Sequence, residues 1–305
     1  MLERIKAMEA AGQWAEIRRT AADLVEGLMG DDLSRAYLAT SKAFEQTAIC
    51  PDDYRAALAH AKRAAAAAAP GGLLHTWALH RVASYLADFG DYRGAERAAT
   101  AFLDALPRHP QAETAAPWVY FHLGVVRSHQ GHHDQAVALL RKAIAANAGE
   151  ISERAQLHLA WTLAESGRVL EAFEALPSSL VHVSQGHLNA ACAVVFAAAG
   201  DWQGARIHAM AALRARTAGE WRIFDTVEAA EMATVLQRAA TYAGNSALAA
   251  SWHNHSAAIL AGWVDGTFSA LLPSLPQGGG AFLEEAASHS GPAGAKRCGL
   301  RGAVG

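Results

Sequence analysis

A ten-residue phrase occurs twice in the chain and constrains the fold more than any other feature of the sequence. "GDYRGAERAA" begins at Gly90 and "GDWQGARIHA" begins at Gly200, and each carries an alanine five residues after its first glycine. The same spacing follows Gly131, Gly167 and Gly244, and each of these glycines separates two segments with helical apolar periodicity. Five equivalent turns predict a chain built from repeated pairs of helices.

The residues around each glycine explain how such a pair would pack. A glycine between two helices can adopt a positive φ and close a short turn. Small residues seven before and five after it let the two backbones approach, and larger ones eight before and nine after it, such as Leu123 and Leu140, fill the space beside that contact. Each unit is therefore predicted to be an antiparallel helix pair that must stack on its neighbours. Gln237 is the one residue that is not small at the position seven before a turn glycine.

One segment carries the pattern in full and resembles a known repeat. "YFHLGVVRSHQGHHDQAVALLRKAI" is similar to the tetratricopeptide repeat (TPR) family, although Arg127 stands where that family usually has tyrosine. The turn glycines are 33 to 44 residues apart, against about 34 in the standard repeat. These longer units resemble the TPR domains of bacterial regulatory proteins. The positions that match the family are Tyr120, Leu123, Gly124, Gly131, Ala136, Leu140 and Ala143.

Two degenerate units precede these repeats. One contains Gly12 but has Ile17 at the alanine position, and the other replaces the Gly-Asp turn with Pro51–Asp53. The resemblance therefore implies an all-α fold, a right-handed superhelical α-solenoid of about seven TPR-like helix pairs, over residues 1–263. Residues 264–305 contain the Pro/Gly linker "PSLPQGGG" and are predicted to form a mostly disordered tail. Its two Arg residues, its Lys and Cys298 could form a small basic tail for contacts, but the composition favours a simple extension without such a role.

The composition disfavours several classes of protein. The 26 Lys and Arg residues are balanced by 29 Asp and Glu residues, so no basic stripe for phosphates is present and direct nucleic-acid binding is not expected. The longest apolar run, Ala190–Ala199, has ten residues, well short of the ~20 that a membrane span needs. Cys50, Cys192 and Cys298 are too few and too far apart for a disulfide framework. We therefore expect no membrane insertion and a cytoplasmic location.

No catalytic motif is present. The sequence lacks a zinc-protease helix, a phosphate-binding loop, a nucleophile elbow and a dinucleotide fingerprint. The histidine groups His132–Asp134 and His253–His255 lack the i,i+4 spacing that brings two imidazoles to one helix face. We expect no catalytic residue, metal or cofactor, while a helical enzyme with a site outside known motifs stays open as an alternative.

A second stripe on each first helix is the predicted binding surface. Positions thirteen, ten and six before the turn glycine share a face, and in TPR proteins that face lines a concave groove for a peptide. Aromatic residues and arginine often dominate binding energy. In the alternative interpretation, longer helices or the C-terminal segment bury these aromatics. The candidate binding residues are Trp77, His80, Trp118, Phe121, Arg154, Trp161, His187 and Arg238.

The sequence thus favours a non-enzymatic scaffold that binds a peptide or protein segment in the groove. The stripe has neither the lysines nor the asparagines with which chaperone-binding TPR domains hold a C-terminal carboxylate. The alternative is a regulatory or sensory TPR protein that responds to a signal peptide or small ligand and controls a partner.

Overall fold

The computed structural model describes residues 2–48, 51–146, 149–217 and 226–265, and in these ranges the chain is all-helical with no strand. None of the helices within these ranges combines the length and apolar composition that a membrane span requires. Two short 3₁₀ segments, Leu106–Arg108 and Pro110–Ala115, connect α7 to α8. The α-helices are α1 Leu2–Ala10, α2 Trp14–Arg19, α3 Ala21–Val25, α4 Gly30–Gln46, α5 Pro51–Ala67, α6 Leu73–Asp88, α7 Tyr92–Ala105, α8 Ala116–His129, α9 His133–Ala145, α10 Glu150–Glu165, α11 Val169–Ala175, α12 Gln185–Ala198, α13 Trp202–Thr217, α14 Thr226–Tyr242 and α15 Ser246–Asp265.

The contacts divide the chain into two compact units, Met1–Ile151 and Ser152–Gly305, here called unit 1 and unit 2. In unit 1, α4 packs with α5, α6 with α7 and α8 with α9, while α1, α2 and α3 pack against α4. In unit 2, α12 packs with α13 and α14 with α15. The predicted all-α architecture of consecutive helix pairs is therefore confirmed within the described residues.

The turn glycines have the predicted backbone conformation. All five adopt a positive φ, between 73° and 80°. At Gly131 the glycine N–H donates to the Ser128 carbonyl, and the next residue, His132, donates to the Arg127 carbonyl, each over 2.8 Å. This pair of bonds satisfies carbonyl groups that the end of a helix leaves without partners. The glycine thus ends the first helix of a pair and reverses the chain.

The aspartate of the repeated phrase begins the second helix. Asp91 accepts a hydrogen bond from the Gly94 N–H over 2.9 Å, and Asp201 accepts one from the Gly204 N–H over 2.9 Å. Such a cap supplies an acceptor for an N–H that the first turn of a helix leaves open. A Cβ atom at Gly94 or Gly204 would collide with the capping carboxylate. The second glycine of the phrase therefore lets the capping carboxylate lie close to the backbone.

Small residues meet between the two helices of a pair, as the sequence predicted. Ala95, Ala136, Ala172 and Ala205 are all buried. A Cβ atom added to Gly124 would lie only 2.7 Å from Leu140 Cγ, because α8 and α9 approach so closely there.

The remaining side chains of the pattern connect neighbouring pairs. Tyr92 stacks on His129 with ring centroids 5.3 Å apart, and Trp202 packs on Tyr242 at 6.1 Å. Arg127, which stands at the usual tyrosine position, forms an ion pair with Glu96 of the preceding pair. These contacts link the second helix of one pair to the first helix of the next.

The ends of the chain depart from the predicted pattern. In the first predicted repeat, around Gly12, the larger Ile17 stands at the alanine position and is fully buried. An additional helix, α3, follows it. Helix α15 continues to Asp265, two residues past the predicted end of the repeat domain. The rest of the predicted tail lies outside the described residues.

The small-residue contact can be tested by enlarging a side chain there. Ala136→Leu should lower the free energy of unfolding by about 1–3 kcal/mol, because the added atoms have no space between α8 and α9. Ala138→Leu makes the same change two residues away on the exposed face of α9 and should change stability by no more than about 0.5 kcal/mol. Urea unfolding measures both, and equal effects would contradict the proposed close contact.

Candidate functional site

Three of the predicted binding residues meet in unit 2. Arg154, Trp161 and His187 line a cavity of about 10 Å³, together with His158 and Glu228. The cavity lies between α10, α12 and α14, which are the first helices of their pairs. We call the surface formed by these three helices the inner face of unit 2.

The helical periods explain the placement of these side chains. Arg154, His158 and Trp161 stand at i, i+4 and i+7 of α10 and therefore share one face. His187 lies in the first turn of α12, where its Nδ1 is 2.8 Å from the hydroxyl of Ser184. Arg154, Trp161 and His187 are each less than 10% exposed.

An ion pair joins two helices that belong to non-consecutive pairs. His158 Nε2 of α10 lies 3.2 Å from Glu228 Oε1 of α14. Burial alone would raise the pKa of Glu228. The hydrogen bond from His158 and the charges of His187, His158 and Arg154 outweigh that effect and lower the pKa to about 2. Glu228 is therefore ionised. Its contact with His158 connects α10 and α14, which enclose a small cavity.

Two further carboxyl groups lie beside Glu228. The indole N–H of Trp161 donates to Glu165 Oε1 over 3.0 Å, and Glu165 itself is exposed. Glu231 follows Glu228 by about one turn of α14, and burial together with the charges of Glu165 and Glu228 raises its pKa well above the usual value. We call Glu165, Glu228 and Glu231 the acidic face.

A carboxylate also holds the connection that leads into α12. The side chain of Glu153 accepts hydrogen bonds of 2.8–2.9 Å from the three backbone N–H groups of Val181–Val183. Partial burial alone would raise the pKa of Glu153. The three hydrogen bonds outweigh that effect and lower the pKa below its usual value. Val183 packs with Leu157 and Ala191, which line the cavity. Glu153 thus fixes one wall of the cavity from outside.

The predicted residues of unit 1 lie in two groups of aromatic contacts. Trp77 lies edge-on to His80 at 6.3 Å, while Trp118 and Phe121 pack on His122 at 6.2 and 5.1 Å. Burial, Arg81 and His122 lower the pKa of His80 well below its usual value. The Nδ1 atom of His80 is buried without a hydrogen-bond partner in the described part of the chain.

The structure therefore brings only some of the predicted binding residues together. Arg238 is exposed further along α14 and does not line the cavity of unit 2, whereas Phe121 and Trp161 are buried among helices. His158 and Glu228 were missed because they lie beside the stripe. The i,i+4 spacing of Arg154 and His158 on one helix is the sequence feature that could have identified His158.

The described residues contain no group of three or more His, Cys, Asp or Glu side chains arranged to hold a metal ion. No protein-family model matches the chain, and no curated protein shows significant similarity to it.

The raised pKa of Glu231 gives a pH test of the cluster. Between pH 4.5 and its folded pKa, Glu231 keeps a proton that the unfolded chain has released, so its contribution to stability is lost as pH rises through that range. Glu231→Gln removes this titration. We expect the variant to match the wild type at pH 4 and to be more stable than the wild type at pH 8, because it lacks the carboxyl group whose contribution to stability is lost as pH rises.

Thermal unfolding across this pH range measures the difference. Glu174→Gln, at an exposed position of α11, is the matched control and should reproduce the wild-type profile. A Glu231→Gln profile that parallels the wild type would show that the carboxyl group titrates normally.

Proposed function

We propose that this protein is a non-enzymatic scaffold that binds a peptide or protein segment through the inner face of unit 2. The proposal keeps the resemblance to the TPR family, in which the helix pairs form a right-handed superhelix and the first helices receive the ligand. The observation that carries it is the convergence of Arg154, Trp161 and His187 on one cavity.

The chemistry of the cavity supports side-chain recognition. Arginine and tryptophan are enriched among residues that dominate binding energy. Glu228 adds a fixed negative charge, and Leu157 and Ala191 add an apolar wall. A peptide side chain with both an apolar stem and a polar end matches this lining.

The size of the cavity disfavours a site for a whole small molecule. Its volume of about 10 Å³ has room for about one water molecule and is far below the range of about 300–1,000 Å³ that is common for small-molecule sites. The regulatory alternative, a sensor of a small ligand, therefore has weaker support than peptide binding. Neither proposal uses the opposed pKa shifts of Glu228 and Glu231 for catalysis, because the ion pair and burial account for both.

Peptide selection on the immobilised full-length protein tests this function. A phage-displayed random library is the probe, and the enriched peptides are then titrated into variants. Glu228→Gln should weaken their binding about tenfold, or about 1.4 kcal/mol, because it removes the fixed charge with little change in volume. Trp161→Phe should also weaken binding while keeping most of the buried ring.

Trp202→Phe is the control, since Trp202 packs on Tyr242 away from the cavity. It should leave peptide affinity unchanged. Failure to enrich any peptide, or equal affinity for the wild type and Glu228→Gln, would remove the support for this site.

A further inference from the structure

Helix α7 of unit 1 carries its end charges in the reverse of the order that a helix favours. The backbone dipoles of a helix favour acidic side chains in its first turn and basic side chains in its last turn. Apart from the capping Asp91, the first turn of α7 has no acidic residue and its last turn has no basic one. Arg93 stands in the first turn and Asp104 in the last. Each of these charges therefore lies at the end of α7 that disfavours it.

The helix does not compensate these charges from its own residues. Arg93 and Arg97 are both exposed, and two like charges four residues apart on a helix repel each other. Glu96, the acidic residue of α7 nearest to both, pairs instead with Arg127 of α8. Across the part of the chain that the structure describes, neither arginine forms an ion pair, and the same is true of the exposed Asp104.

These side chains lie together on one surface of α7. Residues at i, i+4 and i+11 of a helix share one face, and Arg93, Arg97 and Asp104 occupy such positions. The surface surrounds an open depression of about 470 Å³. Basic residues lie at one end, small residues in the middle and an acidic residue at the other end. We call this surface the α7 face, and it consists of Arg93, Glu96, Arg97, Thr100, Ala101 and Asp104.

The order of charges on the α7 face is complementary to itself. When a second copy of α7 lies antiparallel across the first, a two-fold axis between residues 98 and 99 brings Arg93 of each copy opposite Asp104 of the other. The same axis places Arg97 opposite Thr100, whose hydroxyl can accept a hydrogen bond from a guanidinium group. A two-fold contact between identical chains requires self-complementarity of this kind.

The middle of the α7 face leaves room for a second helix. Thr100 and Ala101 are small and exposed there, and the distance between two packed helices depends on the size of the side chains at the contact. An antiparallel arrangement also places the positive end of one helix dipole beside the negative end of the other. The reversed charges of α7, which its own dipole disfavours, are then compensated by the second copy.

We propose that the α7 face is a contact between two copies of this chain, in which Arg93 of each copy pairs with Asp104 of the other. One helix face is smaller than a standard interface of about 800 Å² per partner, and exposed ion pairs are individually weak. The association is therefore weak, reversible and sensitive to salt. The α7 face shares no residue with the peptide site of unit 2, so either proposal can fail without the other.

Sedimentation velocity of the full-length protein at low ionic strength tests the association. The sedimentation coefficient should rise with concentration toward that of a dimer, and added salt should reverse the rise because it screens exposed charges. Arg93→Asp and Asp104→Arg should each weaken association at least about tenfold, because like charges then face each other at both ends of the contact. Arg63→Asp, the same change at an exposed position of α5, is the matched control and should associate like the wild type.

Exchange of the charges distinguishes a direct contact from a loss of folding. An equimolar mixture of Arg93→Asp chains and Asp104→Arg chains should form a heterodimer, since a carboxylate then faces a guanidinium at both ends. The double variant Arg93→Asp/Asp104→Arg should dimerise by itself for the same reason. Both single changes give the α7 dipole the charges that it favours, so thermal unfolding should show neither variant to be less stable than the wild type.

Three results would overturn the inference. The first is a wild type that stays monomeric up to about 0.5 mM, a concentration at which a contact with a Kd of about 0.1 mM is mostly dimeric. The second is a dimer that neither charge reversal weakens, which would mean that the copies meet through another face. The third is a mixture of the two folded single variants that does not associate. None of these results bears on peptide selection by unit 2, and failure to enrich a peptide leaves this contact standing.

Discussion

Close contact between small residues on either side of each turn glycine is the constraint on which the rest of the structure depends. At Gly124 even one added carbon atom would collide with Leu140, and Ala136 is fully buried in the same contact. Because protein interiors are close-packed, the distance between two helices follows from the size of the residues between them. The larger side chains are then directed toward the neighbouring pairs.

Polar contacts connect different sets of helices in the two units. In unit 1 they connect neighbouring pairs: Arg81 and Tyr85 of α6 both bond to Glu45 of α4, and Arg127 of α8 pairs with Glu96 of α7. In unit 2, His158 and Glu228 connect α10 with α14, whose pairs are separated by α12 and α13. This contact encloses the cavity, whereas the contacts of unit 1 add to the joints between adjacent pairs.

Local features of the sequence predicted local features of the structure. The turns at glycine, the buried alanines and the pairing of helices all follow from spacing within about forty residues. The meeting of His158 with Glu228 could not be predicted in this way. It depends on how three successive pairs pack together, and no spacing within a single pair encodes that packing. The ion pair of Arg127 with Glu96 could not be predicted for a similar reason. A repeat pattern gives the position of Arg127 but not the residue that it contacts.

The partly buried charges of unit 2 are difficult to explain by stability alone. Replacing a buried ion pair with apolar residues of similar volume is often neutral or stabilising, and the neighbouring helices already have a core of Ala209, Met210, Met232 and Trp252. Glu231 adds a further cost, because its desolvated carboxyl group lies near two others. A chain selected for stability alone would place an apolar side chain there.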